Sequence, residues 1–218
     1  MDEPEKLIPP HGGYQKLKSF QIAQLIYDVT VRFCDRYIDR RSRTHDQMVQ
    51  AARSGTQNIA EGSEASGTSK KTELKLTNVA RASLEELRLD YEDFLRHRGL
   101  EQWAPDHPAL RRFKAKRCAT VEQVRAWVKD ERRRAWTNTD TRRRTQAGAV
   151  RVRGSRCRSV SSAALAANGA LSLLNLCCYL LERQIAAQAA AFEKEGGFTE
   201  RLYRVRSRRR NPGSTCGS

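Results

Sequence analysis

The sequence predicts an all-α protein, and three observations support that fold class. Four long segments carry apolar residues at the three- and four-residue spacing of amphipathic helices. No segment shows the sustained two-residue alternation of a half-buried strand. A chain of 218 residues is also long enough to form one sizeable hydrophobic core. We therefore predict a four-helix bundle with a basic, partly disordered insertion between the third and fourth helices.

The first three bundle helices are predicted within residues 14–99. The first helix should span residues 14–38. Its apolar residues at helical spacing are Ile22, Leu25, Ile26, Val29, Phe33 and Tyr37. Thr44 and Gln47 form a capping-box pattern that opens the second helix, which we expect to end near Gly62.

The third and fourth helices are predicted from their end signals. Ser69 is a plausible cap for the third helix, and Gly99 lies where its apolar pattern stops. The fourth helix is predicted over residues 163–195, because that segment has no proline and is followed by two glycines. Residues 196–218 form a basic C-terminal tail in this interpretation.

The predicted fourth helix is apolar on more than one side. Its apolar cluster comprises Leu173, Leu174, Leu176, Cys177, Cys178, Tyr179, Leu180 and Leu181. So wide a surface needs more than one neighbour, and we expect one side to pack on the bundle and another on a second subunit. A membrane span is the alternative, but Asn168, Gly169, Ser172 and Asn175 argue against contact with lipid, so no membrane partner is predicted.

The positive charge is concentrated in one central segment. Lys and Arg together equal Asp and Glu over residues 1–103, at 16 each, but number 17 against 5 over residues 104–160 and 8 against 4 over residues 161–218. A formal charge of +16 favours nucleic acid or an anionic membrane as partner. The 31 Arg against 10 Lys suit phosphate and base contacts, although a GC-rich genome would produce the same bias.

The insertion of residues 104–162 should loop out of the bundle. Two prolines and a Thr120/Gln123 capping box fit two short basic helices. Residues 135–162 are poor in apolar side chains and rich in Arg, Thr, Ser and Gly, so we expect them to be disordered in the free protein.

The insertion and the tail supply the candidate nucleic-acid-binding residues. These are Arg111, Arg112, Lys114, Lys116, Arg117, Arg132, Arg133, Arg134, Arg142, Arg143, Arg144, Arg206, Arg208, Arg209 and Arg210. Trp127 and Trp136 lie near them and could stack on unpaired bases. For Trp127 we favour the structural alternative, in which it packs a short helix onto the bundle.

The second helix contains two glycines at positions where residues of higher helix propensity would cost less free energy. Gly55 is expected to permit close packing of a neighbouring helix, and Gly62 to end the helix. Asn58 could then hydrogen-bond across the contact, and Glu61 could pair with a cation. No His, Cys or Ser stands at a spacing that would make Asn58 and Glu61 a catalytic pair.

The same stretch carries a family resemblance. Residues 58–62 (NIAEG), Glu73, residues 80–87 (ARASLEEL) and residues 90–91 resemble the four-helix-bundle family encoded in intervening sequences of 23S ribosomal RNA. That family includes accessory variability proteins of diversity-generating retroelements, and the resemblance covers residues 14–99.

The C-terminal part extends the resemblance. Residues 167–171, 175–176, 178–184 and 196–204 are similar to a longer subgroup of the family, which carries a suffix after the third helix. The resemblance implies an up-down bundle that assembles into a basic homo-oligomer, a pentameric ring. It also implies a reverse transcriptase and structured template RNA, or an RNA/DNA hybrid, as partners in error-prone cDNA synthesis. The insertion departs from the compact accessory proteins.

No catalytic motif or cofactor signature is present, so we expect a protein that is not an enzyme and has no catalytic residues, cofactor or metal. Cys118, Cys157, His97 and His107 lack zinc-site spacing. The first 13 residues are acidic and proline-rich rather than a secretory leader, which predicts a cytoplasmic location.

Two further functions stay open at the level of sequence. The bundle could act as a protein-interaction scaffold whose basic segment only solubilises it. It could also be a ribosome- or rRNA-associated protein with no reverse-transcriptase partner.

Overall fold

The computed structural model describes residue 8, residues 11–146 and residues 161–210, with the side chains of all of these except 138–146 and 208–209. The regular structure in this part of the chain is entirely helical, which confirms the predicted all-α class. A 3-10 turn, Tyr14–Lys16, precedes seven α-helices: α1 Lys18–Tyr37, α2 Arg43–Ala65, α3 Lys70–His97, α4 Pro108–Lys116, α5 Val121–Gln146, α6 Ser162–Glu195 and α7 Phe198–Arg210.

Four helices form the main body of the fold. α2 packs on α3, α3 on α6, α6 on α1 and α1 on α2, so the contacts close into a cycle. We call this set of four helices the helical body. Its core residues come from the predicted apolar faces and include Ile26, Phe33, Met48, Leu84 and Leu174.

The contact between α2 and α3 is the most extensive, and two glycines permit it. A Cβ atom built at Gly55 would lie 2.6 Å from Leu84 Cδ2, and one at Gly62 would lie 3.3 Å from the Glu73 carbonyl oxygen. Real Cβ atoms do not come as close as the first of these distances. The predicted role of Gly55 in close packing is therefore confirmed.

Two details of the predicted glycine motif are wrong. Gly62 does not end α2, which continues to Ala65, because the backbone of α3 passes this glycine while it is still helical. Asn58 does not bond across the contact, since its amide donates to the Ser54 carbonyl oxygen of its own helix at 2.8 Å. The contact to α3 is made instead by Ser54 and Ser83, whose hydroxyls lie 3.0 Å apart.

Glu61 is exposed on α2. Within the described residues it has no ion pair, so the predicted pairing with a cation is not seen there.

The helix ends follow the sequence signals closely. Ser69 caps α3 by accepting from the Thr72 N–H at 3.1 Å, as predicted. Gly196 ends α6 with φ +73°, a conformation that glycine adopts without strain. The cap of α2 is Ser42 rather than Thr44, because the Ser42 hydroxyl accepts from the Thr44 N–H at 3.2 Å.

α6 has more neighbours inside the chain than the sequence predicts. Besides α1 and α3, it contacts α4 and α5, which cover further sides of its wide apolar surface. Contact with a second subunit stays a prediction. The helix that starts at Ser162 is long and apolar enough to cross a membrane, but core helices of soluble proteins meet the same criterion. In this fold 67% of its most apolar 18-residue window is buried.

The predicted disorder of residues 135–162 does not hold for residues 135–146, which are helical. The packed first half of α5 nucleates the helix, and arginine has a good helix propensity, so the helix propagates at low cost. Residues 147–160 lie outside the described part. The predicted tail begins with an additional helix, α7.

Cys34, Cys177 and Cys178 are buried and behave as small hydrophobes, as predicted for the last two, whereas Cys118 is partly exposed. Burial raises the pKa of the Cys34 and Cys178 thiols to about 12, which keeps both protonated near neutral pH.

We predict that Gly55→Ala lowers the free energy of unfolding by about 1–2 kcal/mol. The new methyl group would overlap the fully buried Leu84, and overpacking outweighs the gain of about 1 kcal/mol in helix propensity. Urea unfolding followed by circular dichroism measures the change.

Gly13→Ala is the control, since a Cβ there meets nothing within 4 Å and φ is −80°. The urea midpoint of Gly13→Ala should not fall below that of the wild type. Equal unfolding midpoints for Gly55→Ala and the wild type would show that α2 and α3 do not require this glycine.

Candidate nucleic-acid interface

Trp127 joins the first half of α5 to the helical body. Its side chain is fully buried, and a Cβ at Gly169 of α6 would lie 2.9 Å from Trp127 Cζ3. The ring of Phe113 in α4 lies 4.6 Å from the indole. The preferred structural role of Trp127 is confirmed. The expectation that the whole insertion loops out is wrong for α4 and the first half of α5, because their apolar residues complete the core.

Asn168 fixes the connection that leads from α3 into α4. Its Oδ1 accepts from the Trp103 N–H at 2.8 Å, and its Nδ2 donates to the Glu101 carbonyl oxygen at 3.0 Å. The same amide also donates to the Ala164 carbonyl oxygen of α6 at 2.9 Å. The side chain is buried with its hydrogen-bonding atoms satisfied, so it positions the start of the insertion on α6.

Two ion pairs link α4 to α5. Arg112 binds Glu131 through two hydrogen bonds of 2.7 and 2.6 Å, and the Glu131 side chain is only 6% exposed. Lys116 binds Asp130 at 2.9 Å at the surface. The Glu131 carboxylate raises the pKa of Arg112, and Lys116 lowers the pKa of Asp130. Two cations of α4 therefore neutralise Glu131 and Asp130, which leaves the α5 cations at 125, 129 and 132 without an ion pair in the described part of the chain.

Those remaining cations form a stripe along α5. Arg125, Lys129, Arg132 and Trp136 follow one another at steps of four, three and four residues, which places them on one face of the helix. All four are exposed, and the Trp136 side chain is 75% exposed. We call these four residues the basic stripe. In the described part of the chain, no ion pair involves its three cations.

α1 contributes cations to the same surface. Arg32 and Arg36 line a cleft of about 160 Å³ with the three cations of the basic stripe, above an apolar floor that includes Val124 and Val128. Arg32 forms an ion pair with Glu122 at 3.9 Å. Asp28 and Asp35 line an adjoining cleft together with Arg32, Arg36 and Arg125. Five cations from two helices therefore converge around one shallow cleft.

The predicted nucleic-acid-binding residues fall into three groups. The exposed ones are Arg111, Lys114, Arg117, Arg132, Arg133, Arg134, Arg206 and Arg210. Arg112 and Lys116 are engaged in ion pairs, so the expectation that their charges are free for phosphate does not hold. The side chains of the remaining five lie outside the part that the structure describes. These are Arg142, Arg143 and Arg144 of α5 and Arg208 and Arg209 of α7.

Sequence reasoning missed Arg32, Arg36, Arg125 and Lys129. Counting charges by block placed the candidates in runs of consecutive arginines, whereas the cleft uses isolated cations at helical spacing. The period between residues 125 and 136 could have shown the stripe. The two α1 cations carry no such signal, because only the packing of α5 on α1 brings them there.

Three acidic side chains of α3 are paired with arginines of the same helix. Arg88 pairs with Glu85 at 2.8 Å and Glu92 at 2.7 Å, and Arg96 pairs with Asp93 at 2.6 Å. Among the described residues no cluster of His, Cys, Asp or Glu has a geometry that could hold a metal ion.

Comparison with known proteins assigns no relative. No protein-family model, no curated protein and no solved structure matches this chain.

We predict that Arg112→Ala lowers the free energy of unfolding by about 1–2 kcal/mol. It leaves the buried Glu131 carboxylate without its partner, and the cost is below that of a fully buried pair because Arg112 is 42% exposed. Thermal unfolding followed by circular dichroism measures the change.

Lys116→Ala is the matched control, since it breaks the neighbouring ion pair at the surface, where pairs contribute little. Equal losses for the two variants would show that the burial of Glu131 does not decide the stability of this contact.

Proposed function

We propose that the protein is a non-enzymatic RNA-binding accessory protein. The surface that binds RNA is the basic stripe with Arg32 and Arg36, extended by the exposed arginines at 133 and 134. In this proposal the helical body is an up-down four-helix bundle, and α4 and α5 belong to a basic insertion between its third and fourth helices.

The observation that supports the proposal best is the excess of positive charge around the cleft, whose lining includes five cations and no Asp or Glu. Lys and Arg contacts to phosphate release condensed counterions, which gives affinity without base specificity. Trp136 at the end of the stripe offers an exposed ring on which an unpaired base can stack. A row of cations that ends in an exposed aromatic ring suits RNA with both paired and unpaired regions.

The family resemblance of residues 14–99 makes the proposal more specific. It supports a role in a diversity-generating retroelement, where the protein binds a reverse transcriptase and its structured template RNA, or an RNA/DNA hybrid, in the cytoplasm. A homopentamer would repeat the basic stripe five times, and the affinity of a multivalent surface exceeds that of one site.

A protein-interaction scaffold is the second candidate, and an exposed face of α3 favours it. Val79, Ala82, Glu86 and Leu89 follow a helical period on that face, and the Leu89 side chain is 55% exposed. Apolar residues at such spacing suit contact with another helix, either of a partner or of a second copy. A ribosomal role without a reverse transcriptase has no comparable support in the described residues.

We predict that replacing Arg132, Arg133 and Arg134 by Gln weakens RNA binding. If each arginine contacts one phosphate, the slope of log affinity against log salt should fall by about two to three. Filter binding of a hairpin RNA with a single-stranded flank, titrated from low to moderate salt, measures the slope.

The matched control replaces Lys70, Lys71 and Lys75 by Gln, which removes the same net charge from the other end of the body. Glu73 beside them bonds Gln188 of α6, about 30 Å along that helix from Asn168. Equal effects of the two triple variants would argue against a localised interface, and no binding of RNA by the wild type at low salt would refute the proposed function.

We further predict that a reverse transcriptase expressed with the protein co-purifies with it after nuclease treatment. Ala82→Glu, on the exposed face of α3, should abolish this association if that face is the contact, while Gln57→Glu on exposed α2 should not. Loss of the association on nuclease treatment alone would show that RNA bridges the two proteins.

A further inference from the structure

A second cavity shares no lining residue with the basic cleft. It is a groove of about 820 Å³ between α4, the start of α1 and α6. Its volume falls within the range of about 300–1,000 Å³ that is typical of small-molecule sites. The proposed RNA-binding function does not use it.

The floor of the groove is apolar. Leu110 and Phe113 of α4 and Leu171 and Leu173 of α6 form part of it, and all four are buried. Leu176 lies at its exposed edge, with its side chain 45% exposed. Tyr179, 52% exposed, lines the groove as well, and an apolar molecule that covers these two exposed side chains removes apolar area from water, which stabilises the complex.

The charged lining residues are all cations. Lys18, Lys114 and Arg117 line the groove, and no Asp or Glu does. In the described part of the chain none of the three forms an ion pair, and Lys114 donates only to the Pro105 carbonyl oxygen at 2.8 Å. A ligand that fits this lining has an apolar body and one anionic group.

The backbone at Arg117 provides a second indication. Arg117 is left-handed, with φ 47° and ψ 49°, at the end of α4, where glycine is the favoured residue. A residue with a Cβ atom is strained in this conformation. The position of Arg117 in the lining of the groove explains why this site carries an arginine instead of a glycine.

From this lining we infer that the groove binds a single-chain amphipathic anion, of the class of free medium- and long-chain fatty acids. The alkyl chain lies on the floor formed by α4 and α6, and the carboxylate binds the cations at 114 and 117. A polar molecule would leave the apolar side chains at the edge, Leu176 and Tyr179, exposed to water, and a cationic amphiphile would be repelled by the lining.

Isothermal titration with octanoate, decanoate and laurate, below their micelle concentrations, tests the inference. We expect one saturable site per chain and an affinity that rises about fourfold for each added methylene, since each buried methylene contributes about 0.8 kcal/mol. Dodecyltrimethylammonium, which has the same chain length as laurate and the opposite charge, should bind at least tenfold more weakly than laurate.

Three variants locate the site. Arg117→Gly keeps the left-handed backbone and should weaken laurate about tenfold, whereas Arg111→Gln, on the same helix but outside the lining, should not. Ser172→Phe fills the groove and should abolish binding. Leu176→Glu, at an exposed position that tolerates a polar residue, should also weaken laurate binding at least tenfold. This variant tests the site if Ser172→Phe does not fold.

Several outcomes would overturn the inference. Affinity that does not depend on chain length, or equal binding of laurate by the wild type and the folded groove variants, would place the anion on the general basic surface. If Leu176→Glu reduces the mass measured by light scattering, a second copy of the chain covers the groove instead. Binding of RNA plays no part in these measurements, so the two proposals fail independently.

Discussion

The fit of the Trp127 indole against Gly169 is the constraint on which the rest of the arrangement depends. A side chain at residue 169 would occupy the space of the ring, and a smaller residue at 127 would leave a cavity against α6. Because the indole fixes the first half of α5 on the body, the opposite face of the same helix is presented to solvent with its charges in register. The position of the basic stripe therefore follows from an apolar contact.

The electrostatics of the insertion are arranged between its two helices. The acids at 130 and 131 would weaken the attraction of α5 for an anion if they stood alone. Arg112 and Lys116 of α4 neutralise them, and the Arg112 pair also satisfies the carboxylate at 131 where it is buried. α4 thus has two roles, since its apolar face contributes to the core while two of its cations preserve the charge of its neighbour.

The sequence was sufficient to predict the elements whose apolar period is long and whose ends carry caps. Ser69 and Gly196 are such ends, and the helices beside them lie where expected. The prediction that α2 ends at Gly62 is wrong because, in sequence, a glycine that lets α3 approach looks the same as one that ends a helix. Only the packing distance distinguishes the two roles. The site was harder to predict because Arg32 joins the stripe through tertiary packing, and because the pairing of Arg112 is invisible in a run of basic residues.

The bonds of Asn168 have a consequence for the evolution of the chain. They bring the exit from α3 to the first turns of α6, so the polypeptide leaves the body and returns to it at the same end. The part of this excursion that follows the packed half of α5 can change in length at a low cost in free energy, because the entropy of closing a loop grows only slowly with its length. α4 and the first half of α5 are held on α6 twice, by the bonds of Asn168 at the entry and by the indole of Trp127 further along.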